Sequence, residues 1–117
     1  MVEHRRVEVA SVGEVTVVRF LDRKILDAAK IQELGDELFS LVSEEQPKLL
    51  LNFSNVEFLS SAALNKLIIL EKKLKAANGR LILTDLRPEI HEVFVITRLT
   101  QLFEIKESEA DGMNALA

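Results

Sequence analysis

The side chains in this sequence that could do chemistry are its serines, its carboxylates and two histidines, and one arrangement among them stands out. Ser60 and Ser61 are adjacent in FLSSAALNKL (58–67), directly after KLLLNFSNVEF, which reads as a strand running into a short loop. A serine hydroxyl at a helix start accepts a hydrogen bond from an otherwise orphaned backbone N–H, worth about 1 kcal/mol. One cap is enough, so the pair leaves a hydroxyl over, and Ala62 and Ala63 keep the helix start free of bulk. Neither serine lies in a GxSxG elbow, and no GxxxxGK[ST] or GxGxxG loop is present to cradle a phosphate. Cysteine is absent, which removes thiol catalysis, disulfides and cysteine-based metal sites. His4, near the amino end, and His91, between Glu89 and Glu92, read as surface residues. The remaining acids are scattered, with Glu44-Glu45 a solvated pair at a helix end. No catalytic, metal-ligating or cofactor-binding residue emerges, and enzymatic activity is not expected.

At 117 residues the chain is the size of one domain, and 1–117 is expected to form it. Its 48% apolar and 29% charged residues are an ordinary globular mixture. There is no apolar run of about 18 residues to span a membrane, and MVEHRRVEVA lacks the apolar stretch of a secretory signal. A cytoplasmic protein without membrane contact is expected. A net charge of −4 opposes nonspecific binding to nucleic acid, which depends on cations neutralising phosphates. The lysines of EKKLKAANGR read as a solvated helix end that suits the helix dipole.

The elements that must position the serines follow from periodicity. RVEVASVGEVTVVRF gives two β-branched runs around Gly13, a hairpin signal. Asp27 caps a helix expected over 28–45, with Ile31, Leu34, Leu38, Leu41 and Val42 at helical spacing. Pro47 ends it, and 48–53 forms a strand whose consecutive Leu49, Leu50 and Leu51 suit burial on both faces. A second helix is expected over 61–77, stopped by Asn78-Gly79 in left-handed conformation. Next come a strand over 80–84, a helix opened by Pro88 and carrying Ile90, Val93, Phe94 and Ile96, a strand over 103–106, and a helical turn over 111–117. The order β-β-α-β-α-β-α-β-α predicts an α/β fold: a small mixed sheet with right-handed crossovers and helices on at least one face.

The stretch from Leu49 to Ile105 resembles the core of a STAS domain, the family of bacterial anti-sigma factor antagonists. The resemblance rests on a buried strand, a loop ending in Phe58 and Leu59, the serine pair with Leu64 opening a helix, Gly79, and a helix with Pro88 and Phe94. KILDAAKIQEL resembles the family's Leu-Asp segment, and VTVVRF the strand before it. The resemblance implies a protein that binds a serine-kinase anti-sigma factor, with a serine phosphatase as a further partner. It also implies that phosphorylation of Ser61 switches the binding off. Two positions depart from the family pattern: Ser60 stands in place of an acid and Ala63 in place of a glycine, the latter adding a methyl group where a partner would approach. These departures keep open an alternative, a STAS scaffold or ligand-sensing module that is not phosphorylated.

Helical spacing outlines a partner surface. Ala63, Leu67, Leu70 and Leu74 form the core stripe of the second helix, with Leu64 and Ile68 beside it. The opposite face carries Ala62, Asn65, Lys66, Ile69, Lys72 and Lys73, with Ile69 the apolar exception. With Asp27 and the serine pair, which the resemblance implies face the partner, the expected partner-binding set is Asp27, Ser60, Ser61, Ala62, Asn65, Lys66 and Ile69.

Overall fold

A computed structural model describes residues 6–42 and 47–117. His4 and the Glu44-Glu45 pair lie outside these residues. The chain begins with a hairpin, β1 (Val7–Val12) and β2 (Val15–Phe20), whose two-residue turn carries Gly13 at φ 62. After it come β3 (Lys24–Ile25), α1 (Ala28–Phe39), β4 (Lys48–Asn52), β5 (Phe58–Leu59) and α2 (Ser61–Ala76). The rest is β6 (Arg80–Thr84), α3 (Pro88–Ile96), a short 3-10 turn at Leu99–Gln101, β7 (Glu104–Lys106) and α4 (Glu109–Leu116).

Five strands form one sheet in the order β1-β2-β4-β6-β7, antiparallel only between β1 and β2. The α/β expectation holds, and helices cover both faces of the sheet. Leu49 and Leu51 point into a core shared with α1, α2 and α3, whereas Leu50 joins Val15, Val17, Ile82 and Leu116 beneath α4. The three consecutive leucines of β4 are each fully buried, as a central strand covered on both faces requires.

Several expected boundaries move. The first helix ends at Phe39, where Ser40 caps it and its hydroxyl turns back to the Glu37 carbonyl at 2.6 Å. The last element is a two-turn helix starting at Glu109, capped by Ser108, and not a terminal turn from Asp111. The left-handed stop after α2 belongs to Asn78 alone, at φ 58. Gly79 has a different reason: a Cβ there would overlap the Pro47 carbonyl oxygen, which accepts the Arg80 N–H at 2.9 Å. Ile96 is 72% exposed, because α3 turns Ile90 and Phe94 inward and leaves Ile96 on its outer side.

Phe53 anchors the end of β4. Its ring lies 4.7 Å from Phe20 and 6.4 Å from Phe94, which in turn lies 5.6 Å from Phe103. Such pairs contribute about 0.5–1.5 kcal/mol each beyond burial. They fix the point from which the serine loop departs.

Candidate functional site

The serine segment is held by a ribbon of two short strands that sequence periodicity does not announce. β3 and β5 pair in parallel, Lys24 beside Phe58 and Ile25 beside Leu59. The Arg23 carbonyl accepts the N–H groups of Glu57 and Phe58 at 2.7 and 3.1 Å, and the Ile25 carbonyl accepts that of Ser60 at 3.1 Å. Ile25 and Leu59 turn into the core; Phe58, one residue before Leu59, and Leu26, one after Ile25, stay 53% and 49% exposed. The ribbon delivers two helix starts side by side, α1 after Asp27 and α2 after Ser60.

The two serines divide the work. Ser60 is the cap of α2: its Oγ accepts the Ala63 N–H at 3.2 Å, and its carbonyl accepts the Leu64 N–H at 3.0 Å. Ser61 is the first residue of α2 and is exposed. Asp27 caps α1 in the same manner, its Oδ1 accepting the Lys30 N–H at 3.0 Å. The Asp27 carboxylate thus meets the positive end of the α1 dipole, whereas α2, capped by Ser60 and with no acidic residue in its first turn, meets no carboxylate there.

The rest of the sequence-derived patch separates into two parts. Ala62 and Asn65 are exposed beside Ser61, and Lys72 is exposed three turns further along α2. Lys66 and Ile69 are half-buried where α1 packs. The Lys66 stem lies over Gly35, and its Nζ reaches the Gln32 Oε1 at 3.3 Å. The exposed Lys73 stands 5.2 Å above the Phe39 ring. Ala63 is 1% exposed. Its methyl group belongs to the core, as the helical stripe with Leu67, Leu70 and Leu74 predicts, and not to the approach surface that the departure from the family's glycine suggested, because α2 turns that position toward the sheet.

Helical and strand periodicity missed Leu26 and Phe58, two large apolar side chains that flank the serines on the open side of the ribbon. The signal available was the alternation of exposed Phe58, buried Leu59 and half-buried Ser60, which is too short to stand above a loop. Along the rest of α2, Glu71 is buried, with its Oε1 3.7 Å from the Lys75 ammonium. Burial raises its pKa, Lys75 partly opposes this, and Glu104 adds to it. Among the described residues no group of three or more His, Cys, Asp or Glu side chains is placed to hold a metal ion, and no helix is long and apolar enough to cross a membrane.

The model of the STAS domain family matches residues 6–112. BtrV of Bordetella bronchiseptica, named as an anti-sigma factor antagonist, is 27% identical over 84 residues, 72% of each chain. An anti-sigma-factor antagonist (STAS) domain protein of Planctomyces limnophilus superposes with a TM-score of 0.85 at 20% identity, covering 94% of this chain and 97% of that one. The Bacillus cell fate determinant SpoIIAA in its phosphorylated form superposes with a TM-score of 0.71 at 18% identity, covering 95% and 99%.

Proposed function

The chain belongs to the STAS domain family, and we propose that it is an anti-sigma factor antagonist. It binds a serine-kinase anti-sigma factor and releases it when Ser61 is phosphorylated. The observation that carries this reading is the division between the two serines: Ser60 supplies the cap, so the exposed hydroxyl of Ser61 is not needed to hold the helix. The similarity to BtrV, named as an antagonist, and to a fold known in a phosphorylated form supports the same reading.

A phosphate adds about −1.5 to −2 charges at neutral pH. On the first turn of α2 it faces the positive end of the dipole and no carboxylate of its own turn, so the fold tolerates it. Its cost falls on the partner. Phe58 and Leu26 offer apolar contact on either side of the serines, and a dianion among them must be desolvated on docking. A loss of about 3 kcal/mol there weakens affinity more than a hundredfold, enough for a switch. A serine phosphatase returns Ser61 to its binding form, and the cycle runs in the cytoplasm without membrane or nucleic acid. The protein acts by binding rather than by catalysis. Neither departure from the family pattern argues against this. Ser60 caps as an acid would, and the Ala63 methyl is buried away from any partner.

Intact-mass spectrometry after incubation with a cognate serine kinase and ATP tests the reading, with Ser61→Ala as control. One added phosphate that disappears in the variant, together with loss of kinase binding on modification, is the expected result. No added phosphate with a kinase of proven activity overturns it and leaves a STAS scaffold that is not phosphorylated.

A further inference from the structure

The Asn52 side chain ties the serine loop to α4 on the far side of the sheet, beside bonds from Asn55 to the Phe20 carbonyl and from Arg87 to the Ser54 carbonyl. Strand register sets Glu8, Arg19, Asn52, Thr84 and Lys106 in a single row across all five strands. Strand alternation places Arg19, Asn52 and Thr84 on the α4 face, each two residues beyond Val17, Leu50 or Ile82. α4 starts over this row. The Glu109 carboxylate accepts two hydrogen bonds from the Arg19 guanidinium at 3.0 and 3.1 Å and one from Asn52 Nδ2 at 3.0 Å. The other end of the same amide, Asn52 Oδ1, accepts the Ser54 N–H at 2.8 Å, at the first turn of the loop that leads to Ser60.

α4 is a short helix held to the sheet along one side. Of its eight residues Gly112 and Leu116 are buried, Met113 and Ala115 pack partly buried against the cluster under it, and its last carbonyls are held by Lys48 and Arg80 from the strands below. A Cβ at Gly112 would come within 2.7 Å of both Leu50 Cδ1 and Thr84 Cγ2. The Thr84 hydroxyl in the strand below is buried and has no hydrogen-bond partner among the described residues. That is a standing penalty, relieved when the helix moves off.

We propose that α4 is a latch on the serine loop, with Asn52 as the positioning residue. Docked, α4 lets Glu109 fix the Asn52 amide, and Asn52 fixes the turn at Ser54. Lifted, it frees that amide, the loop over 54–60 loosens, and Ser61 loses its set presentation. The consequence for signalling rests on the reading of Ser61 as the switch; the mechanical link does not.

Amide hydrogen exchange on the full chain tests the link. The reporters are the N–H groups of Glu57, Phe58 and Ser60, which hold the loop to Arg23 and Ile25 and which no variant touches. Gly112→Ala displaces α4 while leaving Asn52 and Glu109 unsubstituted, and Asn52→Ala cuts the connection directly. Each is expected to speed exchange at the three reporters about tenfold relative to core amides of β4 and β6. Thr84→Val removes the unpaired hydroxyl and is expected to slow it. A uniform rise across the molecule, or no change at the reporters, overturns the latch. If Gly112→Ala fails to fold, the opposite signs expected of Asn52→Ala and Thr84→Val decide it. The kinase assay on the same proteins separates the two readings. Selective exchange changes without phosphorylation of any variant leave the latch and remove the switch. Normal phosphorylation with unchanged exchange leaves the switch and removes the latch.

Discussion

Replacing the two serines one at a time should give opposite outcomes. Ser60→Ala deletes the acceptor that sits 3.2 Å from the Ala63 N–H, while the bonds made by the Ser60 backbone to Ile25 and Leu64 remain. Because Ala63 is 1% exposed, its N–H has little water to turn to, which puts the loss in the upper half of the capping range, about 1.5 kcal/mol. For a chain of this size that corresponds to a fall in Tm of about 5–8 °C. Ser61→Ala exchanges an exposed side chain at the first helical position for the best helix former, so stability should stay within about 0.5 kcal/mol. Ser60→Asp keeps an acceptor in place and adds charge at the dipole's positive end, so it should recover most of the loss. Thermal melts followed by circular dichroism, with urea titrations for the free energies, read all three. If Ser61→Ala costs as much as Ser60→Ala, or Ser60→Ala costs nothing, the division of roles is wrong and Ser61 is not a spare hydroxyl.

Two further substitutions test the surrounding frame. Glu71 has a folded-state pKa above its ordinary 4.5, so the stability tied to its neutral form is complete below pH 4.5 and lost as pH rises through the folded value. Glu71→Gln should therefore flatten the pH dependence of Tm, with a difference from the parent that is smallest below pH 4.5 and grows toward neutrality; a constant offset at every pH would refute the assignment. Gly79→Ala forces a methyl group against the Pro47 carbonyl and should cost about 2–3 kcal/mol in urea denaturation, whereas Asn78→Gly, at φ 58, should be nearly neutral. Equal effects at the two positions would mean that the turn, not the close approach, sets the constraint.

What could be seen in the sequence, and what could not, divides along one physical line. Leu49-Leu50-Leu51, the cap at Asp27 and the spare hydroxyl of the serine pair follow from local rules, because periodicity and capping are properties of a few neighbouring residues. The length of α1 and the start of α4 depend on where packing stops, and there the residue pattern ran past Phe39 in one case and began two residues late in the other. β3 and β5 are two residues each and are defined only by pairing across more than thirty positions, so Leu26 and Phe58 could not be assigned to one surface before the ribbon was known. Asn52 is the sharpest case. As the last letter of KLLLN it reads as the polar end of a buried strand, and nothing nearby in sequence suggests a partner. Its amide meets Glu109, 57 residues on, only because parallel pairing brings the carboxyl ends of β2, β4 and β6 level beneath the start of α4. The cap at Ser60 and the spare hydroxyl of Ser61 are local and therefore legible, but the rigidity around them is borrowed from contacts that exist only once the sheet has formed. Sequence reasoning locates the hydroxyl; what holds it still has to come from topology.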